Sequence, residues 1–93
     1  MRRQKMARRY VVRGIVQGVG YRYFATHTAS RIGVAGYVRN LDDGNVEVYA
    51  TGTAEQLSEL AGALRLGPRW ADVRGVEEQE AAVQQYASFE IKY

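Results

Sequence analysis

The stretch Gly14-Ile15-Val16-Gln17-Gly18-Val19-Gly20-Tyr21-Arg22 decides how the rest of the chain is read. It follows the apolar run Tyr10 to Val12 and precedes a segment of helical periodicity. A strand therefore passes through a glycine-punctuated loop into a helix, and such a junction can hold an anion. Glycines let the backbone turn tightly and present several N–H groups inward. The helix behind the loop adds unpaired N–H groups and the positive end of its dipole. Arg22 stands where its planar, permanently charged fork could clamp two oxygens of the same group. The pattern alone leaves two readings open: an oxyanion cradle for a phosphoryl group, or a hairpin-like turn with Arg22 as a solvated first-turn residue. It is not a nucleotide P-loop, because Tyr21-Arg22-Tyr23 stands where Gly-Lys-Ser/Thr would fall. Nor is it a dinucleotide fingerprint, since Tyr23 takes the third glycine's place.

Working outward, the strand before the loop is expected from about Arg8 to Ile15. The helix after it is expected from Tyr21 to Ile32, with Phe24, Ala25, Thr28, Ala29 and Ile32 as its apolar stripe and Gly33 as its stop. Val34, Gly36 and Val38 then alternate with Ala35, Tyr37 and Arg39. Beyond Asp42-Asp43-Gly44-Asn45, Val46, Val48 and Ala50 alternate with Glu47, Tyr49 and Thr51. Alternation on both sides of an Asp/Gly/Asn cluster predicts a β-hairpin whose strands each bury one face. Thr53 and Gln56 have capping-box spacing, and Leu57, Leu60, Ala61 and Leu64 form the stripe of a second helix that ends at Gly67-Pro68. The tail predicts a ragged strand from Val73 to Gln79 and a terminal one from Ser88 to Tyr93. This order is the split βαβ arrangement: an α+β, ferredoxin-like βαββαβ sandwich, with an antiparallel sheet and two helices on one face. That fold hosts many activities and does not decide among them.

Composition narrows the chemistry. Ninety-three residues suffice for one core. The absence of cysteine excludes disulfides and thiolate metal sites, and a single histidine, His27, excludes a histidine metal cluster. Five of the 13 basic residues, Arg2, Arg3, Lys5, Arg8 and Arg9, fall in the first nine positions. Residues 1–9 are therefore expected to be a flexible basic extension, and 10–93 the folded domain. From Tyr10 onward eight basic face ten acidic residues, a net of −2, which disfavours non-specific nucleic-acid binding. No apolar run reaches transmembrane length and no secretory leader is recognisable. A cytoplasmic protein without membrane or nucleic-acid partners is expected.

Gly14-Ile15-Val16-Gln17-Gly18-Val19-Gly20-Tyr21-Arg22, together with Gly36-Tyr37-Val38-Arg39-Asn40-Leu41-Asp42-Asp43-Gly44-Asn45-Val46-Glu47, resembles the acylphosphatase family, whose two signatures these are. The likeness runs from about Tyr10 to Tyr93. It implies an acylphosphatase: a hydrolase that converts acyl phosphates to carboxylate and inorganic phosphate without metal or cofactor; a monomer is expected, with phosphate as product and inhibitor. By the same resemblance Arg22 holds the phosphoryl group, Asn40 holds the attacking water, and the backbone of Gln17, Gly18, Val19, Gly20, Tyr21 and Arg22 forms the cradle. Tyr21 departs from the phenylalanine or other apolar residue usual in the family, with little effect expected because the cradle uses its N–H.

Such sparse machinery suits an acyl phosphate. Phosphoryl transfer through a loose transition state depends on positioning and charge stabilisation. The leaving carboxylate, with a conjugate-acid pKa of about 4 to 4.5, needs no general acid. Other residues have plainer readings. His27 lies about 140° round the helix from Arg22 and so points away from the cradle. Asp42 and Asp43 read as turn residues. Trp70 and the seven tyrosines read as core and sheet-face residues, and Glu77, Glu78 and Glu80 as a solvated edge. The rival functions are an RNA-recognition module, disfavoured by the glutamate and single aromatic of the segment from Asn45 to Ala50, a non-catalytic anion sensor, and a domain of a larger carbamoyl-transfer enzyme, against which the short chain is read.

Overall fold

The computed structural model describes residues 5–93. Its elements are β1 (Met6–Ile15), α1 (Tyr21–Ile32), β2 (Ala35–Asn40), β3 (Val46–Gly52), α2 (Ala54–Leu66), β4 (Asp72–Ala81) and β5 (Phe89–Lys92). The strands form one sheet in the order β4-β1-β3-β2-β5. β3 is central and antiparallel to both β1 and β2, and β4 is antiparallel to β1. The ferredoxin-like α+β sandwich is the fold observed. β5 joins it at the edge, parallel to β2, so the sheet is mixed and not antiparallel throughout as expected.

The core lies between the helices and one face of the sheet. Tyr10, Val12, Val38, Val46, Val48 and Ala50 meet Ala25 and Ala29 of α1 and Leu57, Leu60 and Leu64 of α2. Both helices begin and end as their sequences dictate. The Thr53 hydroxyl accepts from Gln56 N–H at 3.2 Å, and the Gln56 side chain accepts from Thr53 N–H at 2.9 Å. Gly33 closes α1 in the left-handed region. Two buried tyrosines tie the halves of the core together. Tyr10 donates to the Leu57 carbonyl at 3.1 Å, and Tyr21 to the Leu64 carbonyl at 2.7 Å. Leaving such a hydroxyl buried and unbonded would cost about 1–3 kcal/mol.

Four further expectations are corrected. First, β1 begins at Met6, so Met6–Arg9 belong to the sheet rather than to a basic extension. Ala7 is buried, Arg8 pairs with Glu78 of β4 at 3.3 Å, and Arg9 bonds to Glu47 of β3. The basic residues there answer carboxylates across the ladder. Met1–Gln4, the rest of the expected extension, lie outside the described residues.

Second, the ragged strand expected from Val73 to Gln79 is a ten-residue strand, Asp72–Ala81. Third, β3 is buried on both faces. On the side away from the helices, Tyr37 and Tyr49 stack with ring centroids 5.6 Å apart, and Tyr86 tilts against both. The Tyr49 hydroxyl donates to Ala82 C=O and accepts from Gln84 N–H, so the segment between β4 and β5 covers this face. Fourth, Trp70 is 75% exposed, beneath the Arg69 guanidinium, and Tyr23 and Tyr93 are exposed as well.

Candidate active site

Because β3 is antiparallel to β1 and β2, those two strands run the same way and end at the same edge of the sheet. Val12, Val46 and Asn40 are level across β1, β3 and β2. β1 leads from this edge into the glycine loop and then α1, so Asn40 and the loop face one another although Asn40 stands 20 positions beyond the loop's last glycine.

The loop owes its shape to Gly18 and Gly20, with φ of 73° and 80°. A side chain there would cost roughly 1–2 kcal/mol in the left-handed region. A Cβ at either position would meet nothing within 4 Å, so backbone conformation rather than crowding calls for glycine. Alternating such residues with ordinary ones turns successive N–H groups into a concave nest. α1 has no side-chain cap and no acidic residue in its first turn. Its first main-chain bond runs from Phe24 N–H to Gly20 C=O. The amides of Tyr21, Arg22 and Tyr23 are thus the orphan donors of a helix start, with the dipole's positive end uncompensated.

Beside this nest lies a cavity of about 110 Å³ lined by Val16, Gly18, Gly20, Tyr21, Arg22, Tyr23 and Asn40. It has room for several water-sized groups of about 30 Å³ each. Among the described residues Arg8, Arg9, Arg13, Arg31, Arg39, Arg65 and Arg74 all pair with carboxylates. Arg22 does not. Its guanidinium rests over the Tyr93 ring, 5.1 Å from the centroid, and keeps its charge available to the cavity. Oδ1 of Asn40 is buried and has no hydrogen-bond partner, an acceptor at the cavity wall that no protein group satisfies.

The structure therefore brings five of the residues singled out in the sequence to one cavity: Gly18, Gly20, Tyr21, Arg22 and Asn40. Gln17 and Val19 do not line it. Val19 packs against the core, and Gln17 turns its side chain to the carbonyls of Leu41 and Asn45, 2.8 Å from each. Tyr23 and Tyr93 were missed. Tyr23 had a signal, adjacency to Arg22 in the first turn; nothing in the sequence links Tyr93 to Arg22. His27 is exposed, and Asp43 accepts from Asn45 N–H at 3.0 Å in the turn.

A larger cleft of about 190 Å³ lies between α2 and the β1–β4 pair. Its two arginines, Arg8 and Arg65, are both engaged by Glu78, so neither guanidinium is without a carboxylate partner. Among the described residues no group of three or more His, Cys, Asp or Glu could hold a metal ion.

The Acylphosphatase family model matches residues 8–91. The chain is 65% identical over 86 residues to the acylphosphatase of Solibacter usitatus, covering 92% of this chain and 90% of that one. It is 49% identical over 89 residues to that of Pasteurella multocida, covering 95% and 99%. The crystal structure of acylphosphatase from Bacillus subtilis superposes with a TM-score of 0.92 at 35% identity, covering 95% of this chain and 99% of that one. Shared fold, shared sequence over nearly the whole length and a matching family model place this protein in the acylphosphatase family.

Proposed function

We propose that the chain hydrolyses acyl phosphates by in-line attack of a water that Asn40 orients on a phosphoryl group held by Arg22. The amides from Gly18 to Arg22 supply the remaining donors to the phosphoryl oxygens. The observation that carries this reading is the pairing, in one cavity, of an arginine without a carboxylate partner and a buried carboxamide oxygen without a donor. The first fits a dianion and the second fits a water.

The reaction balances without an acid or base from the protein. The water oxygen attacks phosphorus while the bond from phosphorus to the acyl oxygen breaks. The carboxylate departs with the electron pair, stable at neutral pH because its conjugate acid ionises at about pH 4 to 4.5. The water's proton passes to a phosphoryl oxygen. Asn40 has no usable basicity and serves to fix the angle of approach through its oxygen. Arg22 and the amides meet charge on the equatorial oxygens, the main task in a loose transition state.

Inorganic phosphate, which presents the same oxygens, is a competitive inhibitor on this reading. No helix of the described residues is long and apolar enough to cross a membrane. The sheet aromatic Tyr49 is buried, which leaves no open central-strand platform for base stacking. A cytoplasmic monomer acting on a small acyl phosphate completes the proposal. The test is hydrolysis of benzoyl phosphate with excess chelator present. Turnover that phosphate inhibits competitively is the expected result, and a protein that leaves benzoyl phosphate intact is not an enzyme of this kind.

A further inference from the structure

Gln17 belongs to the glycine loop by sequence, but its side chain reaches across the sheet edge. Its Nε2 donates one hydrogen to Leu41 C=O and the other to Asn45 C=O, each at 2.8 Å. Those carbonyls belong to the residues just beyond the Asn40–Val46 pair, the last of the β2–β3 ladder, one on each side of the turn. The same two residues close the turn, where Leu41 N–H bonds to Asn45 C=O at 2.9 Å and Gly44 N–H to Leu41 C=O at 3.2 Å. A primary amide suits this place because two donors diverge from a single nitrogen.

β1 and β2 are not neighbours in the sheet, since β3 lies between them. The glycine loop and the β2–β3 turn would otherwise be related only through that intervening strand. Arg22 lies on one side of the gap and Asn40 on the other. We infer that the Gln17 side chain is a positioning residue: by holding both turn carbonyls it sets where the Asn40 carboxamide stands relative to the phosphoryl cradle. This rests on the reading of Asn40 as the group that orients the attacking water. Reaction geometry is strict, and a displacement of about 1 Å costs on the order of 100-fold in rate.

A double-mutant cycle tests it with benzoyl phosphate as substrate. Gln17→Met keeps the main-chain N–H and much of the side-chain length but removes both donors. The expected result is a kcat about 10- to 100-fold lower with the phosphate inhibition constant held within about twofold. In an Asn40→Ala background the same substitution should change kcat by less than about twofold, because the residue it positions is gone. Gln17→Glu serves as a second variant, setting carboxylate oxygens against two carbonyls. Its kcat should be depressed at neutral pH and recover partly as the carboxyl gains a proton and with it one donor. An unchanged kcat in both variants, an equal loss in the two backgrounds, or a parallel loss of phosphate affinity would overturn the inference. A wild-type protein without turnover, or Asn40→Ala with full kcat, would overturn the underlying reading instead, so the two failures are distinguishable.

Discussion

Arg22 and Asn40 differ in what their removal takes from the site. Arg22 carries charge, and a preorganised donor at developing charge is worth about 3–4 kcal/mol, a hundredfold to a thousandfold in rate. Arg22→Ala should lose at least that in kcat/KM and also weaken inhibition by inorganic phosphate, both measured with benzoyl phosphate. Asn40 carries no charge and does not bind the phosphoryl group on this reading. Asn40→Ala should therefore lower kcat by about 10²-fold while the phosphate inhibition constant stays near the wild-type value. Equal losses of both would make Asn40 structural. Arg22 and the glycines were legible in the sequence because their motif lies within one strand–loop–helix unit, whereas Asn40, at the end of β2 in a hairpin, reads as a turn residue by itself and was singled out by the resemblance to the family's second signature. The side chain of Gln17 was not legible. Its partners, Leu41 and Asn45, sit on a turn between two other strands, and spacing along a chain does not reveal what two loops exchange across a sheet edge.

Among the elements, α2 could be read almost whole, since its capping box and its four buried residues are local features. β4 was underestimated for the opposite reason. It is an edge strand of mostly exposed residues, half of them charged, and its length comes from pairing with β1 from Ala7 to Ile15 rather than from its own hydrophobicity. Charge on an exposed edge also discourages further strand addition. β3 was expected to bury one face and buries two, because the covering segment is distant in sequence and reaches it through Tyr86 and the Tyr49 hydroxyl. Tyr21 shows what a local reading misses at the helix start. Its N–H belongs to the nest, while its hydroxyl bonds to the Leu64 carbonyl of α2. Tyr21→Phe removes that donor and leaves a buried carbonyl short of one partner. A loss of about 0.5–1.5 kcal/mol is expected in the free energy of urea unfolding.

For the molecule as a whole, the buried Glu47 carries the clearest pH dependence. Its side chain is 4% exposed. Burial opposes its ionisation, yet hydrogen bonds from Arg39 and Arg9 outweigh burial and hold its carboxyl below the usual 4.5. A carboxyl with a lowered value in the folded state binds its proton first in the unfolded state, so stability falls as the solution becomes more acid. The urea midpoint should be level from neutrality to about pH 5 and then decline below pH 4.5, through the folded value of Glu47. Glu47→Gln should lower the plateau and flatten that decline. Glu77, held down by Arg13, is on the surface, so its share should be small and fade with salt.

The two tyrosine hydroxyls sunk into α2 have a thermal consequence. Leu57 and Leu64 are seven residues apart, about two helical turns, so β1 and the catalytic mouth are pinned to the far helix at two heights. A mouth fastened in this way has few means of gaping while the rest of the globule persists. Turnover should keep climbing with temperature almost to the melting point and then vanish together with the heat-absorption peak in calorimetry.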